Sequence, residues 1–188
     1  MQDLFIELLQ VTLDSRDTLS RVPSSIEWHY LFGEAQRQAV LGIMVAGLER
    51  LPENQRPPQM QLLQWIGLCQ QVEAQNILTT KTCHSICERL KYDGFRACVL
   101  KGQSNYRYYP AEMKNHRNCV DIDVWVQAQS DGRCKTYDVS RVIEYVQNHY
   151  DMNGLCWLHT SHVEKSGVPV EIHLRASFMN EPCKNRRF

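Results

Sequence analysis

The sequence predicts an α+β fold, with a helical first half and a second half in which short strands form a small mixed sheet flanked by helices. Two observations carry this prediction. Apolar residues recur at helical spacing as far as Tyr92, and beyond Gly94 they alternate over short runs. We therefore expect an N-terminal helical region over residues 1–94 and a second domain over residues 95–188.

Helical signals account for most of the first half. An apolar face runs from Leu4 to Thr12, and the segment VPSSIEWHYLFGEAQRQAV (22–40) supplies Pro and Ser ahead of a second helix. The proline-rich LPENQRPP (51–58) predicts a loop. Residues 58–92 then predict one long helix, which ends at the turn YDG (92–94).

Strands dominate the second half. FRACVLKG (95–102) and CVDIDVWV (119–126) predict two strands, and QSNYRYYP (103–110) between them predicts a short helix that Pro110 ends. A helix of about ten residues follows in DVSRVIEYVQNHY (138–150). The segment CWLHTSHVEKSGVPVEIHLRA (156–176) alternates around KSG and predicts a hairpin with its turn near Ser166 and Gly167.

Composition restricts the class of protein. The chain of 188 residues carries 21 Lys and Arg against 21 Asp and Glu, so no excess of positive charge indicates a long nucleic acid as partner. None of the eight cysteines forms a CxxC pair, and the N-terminus does not resemble a secretory signal. No apolar run is long enough to cross a bilayer. We expect a soluble cytoplasmic protein with reduced thiols and no membrane partner.

Acidic residues on two strands predict a metal site. Asp121 and Asp123 lie two positions apart and share a strand face, where their mutual repulsion is costly unless a cation lies between them. In VPVEIHLR, Glu171 and His173 share a face. If this hairpin pairs beside 119–126, Glu171 reaches both aspartates. Three convergent carboxylates favour one or two hard divalent ions, Mg²⁺ first among them.

The segment LKGQS (100–104) predicts an anion site. Lys101 and Gly102 stand at the end of a strand and the opening of a helix, where backbone N–H groups and the ammonium group attract phosphate. A phosphate site beside a metal site indicates phosphoryl or nucleotidyl transfer.

Four motifs in order resemble a known family over about residues 95–180. They are VLKGQSNYRYYP, HRNCVDIDVWV, LHTSH and VEIH. This set is similar to a family of bacterial proteins called uncharacterised nucleotidyltransferases, within the polymerase-beta-like nucleotidyltransferase superfamily.

The resemblance implies a minimal nucleotidyltransferase core that moves a nucleoside monophosphate, for example from ATP, to a hydroxyl group and releases pyrophosphate. It implies Mg²⁺ or Mn²⁺ as cofactor, bound by Asp121, Asp123 and Glu171, with Glu171 as ligand or as the base that deprotonates the acceptor. The implied nucleotide-binding residues are Lys101, Gly102, Gln103, Ser104, Arg117 and His173. Relatives continue with further helices, so we expect the core to be truncated at its C-terminus.

Several alternatives stay open at this point. The acceptor is a small molecule, a protein or an RNA. The fold could instead serve a nucleotide-binding regulatory module without turnover, such as half of a toxin and antitoxin pair, and Arg117 could pair structurally with the aspartates. His159, His162 and His173 suggest a structural zinc site, although His159 and His162 face opposite sides of a regular strand.

Overall fold

The computed structural model of the chain describes residues 2–128, 139–150, 152–157 and 160–177, and it confirms the α+β prediction. The helices are α1 (Gln2–Thr12), α2 (Ser25–Arg37), α3 (Leu41–Arg50), α4 (Gln59–Tyr92) and α5 (Val139–His149). The strands are β1 (Phe95–Val99), β2 (Ile122–Ala128), β3 (Met152–Trp157), β4 (Thr160–Lys165) and β5 (Val168–His173). Short 3₁₀ helices span Glu53–Gln55, Gly102–Tyr108 and Ala111–Met113. Within these ranges, no helix has the length and apolar character needed to traverse a bilayer.

The chain divides into two compact units. The first comprises the chain up to Ile77 together with Arg107–Cys119, and the second comprises Leu78–Tyr106 together with the chain from Val120 onward. These units reflect contacts between residues and do not show whether either part folds independently. The domains expected over 1–94 and 95–188 therefore stay a prediction.

Local signals explain where α2 begins. The Ser24 hydroxyl accepts a hydrogen bond from the backbone N–H of Glu27, and the Glu27 carboxylate accepts one from the backbone N–H of Ser24. This reciprocal capping box satisfies two N–H groups that a helix start leaves without intrahelical partners. The predicted Pro and Ser signal therefore marks a real helix start.

The helix α3 was not among the predicted elements. The residue before it, Val40, forms no side-chain cap, and Ala39 has a φ of 56°. A left-handed residue that is not glycine is uncommon, so the break between α2 and α3 has no sequence signal.

Apolar packing holds the first unit together. The predicted face of α1 is buried, and it packs with residues of α2, α3 and the first part of α4. The buried members of this core are Leu4, Phe5, Leu8, Val11, Leu19, Trp28, Leu31, Ala35, Leu41, Met44, Val45, Leu48, Leu51, Trp65 and Cys69.

The second unit is built on a five-stranded sheet in the order β1-β2-β5-β4-β3. The pair β2–β5 is parallel, and the other three pairs are antiparallel, so the sheet is mixed as predicted. The β4–β5 hairpin turns at Ser166 and Gly167, whose φ values are 55° and 75°. Two successive left-handed residues are typical of a type I′ turn, which suits the twist of the strands. The predicted hairpin is confirmed.

The sheet has two unlike faces at β2 and β5. We call one the apolar face, because its residues are buried against α5 and the end of α4. From β2 and β5 it presents Ile122, Val124, Val126, Val168, Val170 and Ile172. Residues one position away along each strand form the opposite face, which we call the polar face. It carries Asp123, Trp125, His162, Glu171 and His173.

Candidate active site

Parallel pairing of β2 with β5 brings two of the predicted acidic residues together. Asp123 lies opposite Glu171, and Trp125 lies opposite His173. Neighbouring residues in register share a face, so Asp123, Glu171 and His173 converge on the polar face. The structure therefore contains the strand pairing on which the expected acidic cluster depended. Asp121 lies just before β2 begins.

Asp123 is the buried centre of this group, with 2% of its side chain exposed. Its Oδ2 lies 3.1 Å from Nζ of Lys101, and its Oδ1 lies 3.1 Å from Nε2 of His173. A buried carboxylate is costly unless cations or hydrogen-bond donors compensate its charge. These two contacts provide that compensation.

Lys101 pairs with both aspartates. Its ammonium group also lies 3.4 Å from Oδ2 of Asp121. The contact with Asp123 is the main cause that raises the pKa of Lys101, burial opposes it, and Asp121 adds to it. The backbone N–H of Leu100 donates to the carbonyl oxygen of Asp123 at 2.9 Å and so continues the β1–β2 pairing up to Lys101. A charged lysine is therefore held at the start of the cluster.

Two histidines flank Glu171. Its Oε2 lies 3.5 Å from Nε2 of His173, and its Oε1 lies 3.6 Å from Nδ1 of His162. The Glu171 side chain keeps 29% of its surface exposed, whereas that of His173 keeps 13%. Glu171 is thus the more accessible carboxylate and Asp123 the more buried one.

The geometry of Asp123, Glu171 and His173 fits a divalent ion. One ligand atom from each residue lies within 4.8 Å of the others, and no other trio of potential metal ligands does so in the described part of the chain. Donor atoms that occupy adjacent positions of an octahedral ion, at about 2.1 Å each, lie about 3 Å apart. The separations of 3.1 Å and 3.5 Å between Nε2 of His173 and the two carboxylates are close to that value. Asp121 lies outside this group, beside Lys101.

The predicted phosphate loop begins at a glycine in an unusual conformation. Gly102 has a φ of 63°, which glycine adopts without the steric cost that a Cβ brings. A 3₁₀ helix over Gly102–Tyr108 follows, where the sequence predicted a short helix. Gln103 and Ser104 are half-buried at its start. The predicted phosphate-binding roles of these residues stay predictions.

Arg117 belongs to the first compact unit. Its carbonyl oxygen and that of Asn115 accept hydrogen bonds from Nδ2 of Asn76, which is fully buried in α4. Asn76 was not among the predicted site residues, although a buried asparagine among apolar helix positions indicates a specific backbone contact. The predicted phosphate contact of Arg117 stays a prediction.

His162 is the site residue that the sequence interpretation considered only for zinc. The β4–β5 register places His162 opposite Glu171. Once this register is known, the alternation of side chains along each strand puts both residues on the same face. His159, the other histidine of the zinc hypothesis, lies outside the described residues.

Comparison with known proteins shows a family match. A family model described as "uncharacterised nucleotidyltransferase" matches residues 24–187. Neither the search of curated proteins nor the search of solved structures found a match.

Proposed function

The chain belongs to the family of uncharacterised nucleotidyltransferases, and from this premise we propose that it transfers a nucleoside monophosphate from a nucleoside triphosphate to a hydroxyl group. The proposed reaction depends on a divalent ion, Mg²⁺ or Mn²⁺, with ATP among the candidate nucleotides. One observation carries the proposal. Asp123, Glu171 and His173 offer three ligand atoms within 4.8 Å, and the Lys101 ammonium lies beside them.

Each residue of the cluster has a proposed task. Asp123, held between Lys101 and His173, binds the ion through a carboxylate that is fixed on β2. Asp121 at the same lysine adds negative charge, and Glu171 completes the acidic set from β5. An ion bound there would neutralise phosphate charge and favour the ionised form of the attacking hydroxyl.

Glu171 is the proposed base. It is far more exposed than Asp123, so an acceptor from solvent can approach it. The acceptor oxygen forms a bond to the α-phosphorus while its proton passes to Glu171. The bond from the α-phosphorus to the bridging oxygen breaks, and pyrophosphate leaves with that electron pair.

Lys101 is the proposed contact to the triphosphate. Its raised pKa keeps it charged, and its side chain is 58% exposed, so the ammonium group can turn from the aspartates towards phosphate. The backbone of Gly102, Gln103 and Ser104 adds N–H donors nearby. Arg117 is a further proposed phosphate ligand on the strength of the family motif.

The acceptor is proposed only as a class, namely a hydroxyl of a small molecule, a protein or an RNA. We also propose a cytoplasmic location. The five cysteines whose side chains are described form no disulfide, which suits a reducing compartment.

The test is a screen of the four nucleoside triphosphates with Mg²⁺ and with Mn²⁺. Pyrophosphate release and mass added to the protein or to candidate acceptors are measured. We expect release with at least one nucleotide, and loss of release in Asp123→Asn. The matched control is Glu164→Gln, which removes an exposed acid on β4 outside the cluster.

Two results would contradict catalysis. One is release by Asp123→Asn at the rate of the unmodified protein. The other is a thermal shift on nucleotide addition without any pyrophosphate, which would assign the chain to the class of nucleotide-binding regulatory modules.

A further inference from the structure

We propose that His173 binds the ion directly through Nε2, so that this centre takes a first-row transition ion such as Mn²⁺ in preference to Mg²⁺. The inference deepens the proposed function and rests on it, because that function brings a divalent ion to the polar face. It changes the expected ligand set from three carboxylates to two carboxylates and one imidazole.

The position of His173 is the first argument. Its Nε2 lies 3.1 Å from Asp123 Oδ1 and 3.5 Å from Glu171 Oε2, so one ring atom approaches both carboxylates. The side chain is only 13% exposed, and β5 holds it two positions after Glu171 on the same face. A largely enclosed ring on a strand has little freedom to turn away, so this nitrogen is a preorganised donor.

The position of Asp121 is the second argument. Asp121 precedes β2, and its Oδ2 lies 3.4 Å from the Lys101 ammonium. Asp121 also lies outside the trio whose ligand atoms converge within 4.8 Å. His173 takes the third position that the sequence assigned to Asp121.

The types of ligand atom at this centre determine which divalent ion it prefers. Mg²⁺ prefers oxygen ligands and keeps its waters, whereas imidazole suits first-row transition ions. A neutral imidazole presents a lone pair at Nε2 in one of its two tautomers. Two carboxylates and one imidazole therefore favour Mn²⁺ over Mg²⁺ by at least about tenfold.

The experiment measures binding and not turnover. The full chain is freed of metal with a chelator and titrated with Mn²⁺, and the electron paramagnetic resonance signal of unbound Mn²⁺ gives the dissociation constant. Mg²⁺ is then added as competitor. Pulsed measurements on the bound Mn²⁺ detect ¹⁴N coupling, which a directly bound imidazole produces. We expect ¹⁴N coupling, and displacement of Mn²⁺ only by at least a tenfold excess of Mg²⁺.

Two variants and a control make the assignment specific. His173→Asn is expected to lose the ¹⁴N coupling and to weaken Mn²⁺ binding by at least tenfold. His173→Asp keeps three ligands but makes all of them oxygen, so it is expected to bind an ion without ¹⁴N coupling and without the preference for Mn²⁺. His84→Gln, which replaces an exposed histidine of α4 outside the cluster, is expected to retain both properties.

The outcomes separate the two proposals. Binding of Mn²⁺ without ¹⁴N coupling, or equal affinity for Mg²⁺, overturns the inference and leaves the proposed function standing. Coupling that persists in His173→Asp assigns the nitrogen to another residue and also overturns it. If the unmodified chain binds neither ion, with or without a nucleoside triphosphate, the metal-dependent function fails as well.

Discussion

The polar and apolar faces of the sheet are made by alternate residues of the same two strands, and they are buried for opposite reasons. On the apolar face, Val124 and Ile172 are fully buried among other apolar side chains. On the polar face, Asp123 is almost as buried, yet its neighbours are an ammonium group and an imidazole. Burial on one face lowers the free energy of folding directly, whereas burial on the other must be compensated charge by charge. Residues one position apart on the same strand therefore contribute either to the stability of the core or to the candidate site.

The largest effect we expect comes from the polar face. In Asp123→Asn, pyrophosphate release should fall by about 10³-fold or more, because the proposed metal ligand loses its buried charge while the side chain keeps its shape. The neighbouring Val124→Ala should keep its activity per folded molecule. The measurements are the rate of pyrophosphate release and, for the folded fraction, the circular dichroism of both variants. Equal losses of activity in Asp123→Asn and Val124→Ala would contradict the different roles that we assign to the two faces.

The next largest effect comes from the apolar face. Ile172→Ala should lower the free energy of unfolding by about 2–4 kcal/mol, because it leaves a cavity in a closely packed core. Urea unfolding measures it. The neighbouring Glu171→Gln should change stability by less than about 1 kcal/mol, as expected for a partly exposed side chain. A larger loss in Glu171→Gln than in Ile172→Ala would reverse the assignment.

A smaller effect is expected at the turn that sets the register of both faces. Gly167→Ala should cost about 1–2 kcal/mol in unfolding free energy, since φ is 75° and the added methyl group meets no atom within 4 Å. The cost is then purely conformational. Gly33 in α2 is the matched control, because its surroundings are equally open and Ala should stabilise a helix by about 0.5–1 kcal/mol. Stabilisation by both substitutions would contradict the left-handed turn.

The smallest effect is a difference in alkaline stability. The aspartates raise the pKa of Lys101 on the polar face, whereas burial, with a hydrogen bond to Asp93, raises the pKa of Tyr145 behind the apolar face to about 12. Both groups bind their proton more tightly in the folded state, so each contributes stability that is complete below the unfolded pKa, near 10, and declines as the pH rises through the folded pKa.

Salt should distinguish these two contributions. Unfolding free energies are measured from neutral pH to about pH 12 in low and high salt. Lys101→Gln should reduce the fall in unfolding free energy at alkaline pH mainly in low salt, because salt screens an exposed ion pair. Tyr145→Phe should flatten it in both conditions, because desolvation is not screened. A decline that neither substitution alters would contradict both assignments.

Much of the fold could be predicted because its signals are local. The capping box at Ser24, the long apolar period of α4 and the alternation around Ser166 and Gly167 each act within a few residues. By contrast, α3 begins without a cap after the left-handed Ala39, so no local rule reveals it.

The candidate site was only partly predictable because it depends on contacts between distant segments. Alternation puts Asp121 on the face of Asp123 and His173 on the face of Glu171, but it does not predict which of these side chains approach one another in the candidate site. That choice follows from the β2–β5 register and from the position of Lys101 at Asp121. The sequence predicted the acidic residues as metal ligands, and it gave His173 two candidate roles, to contact the substrate or to orient a carboxylate. The geometry places its Nε2 beside both carboxylates.

The parallel pairing of β2 with β5 also has a consequence for how the protein is made. Asp123 and Glu171 are about 50 residues apart in the chain, and a ribosome adds about 5–20 residues per second. For several seconds the growing chain presents Asp123 and Lys101 without their partners on β5. During that interval an ion would meet only part of the proposed binding site, so the proposed centre would fill only once translation has passed β5.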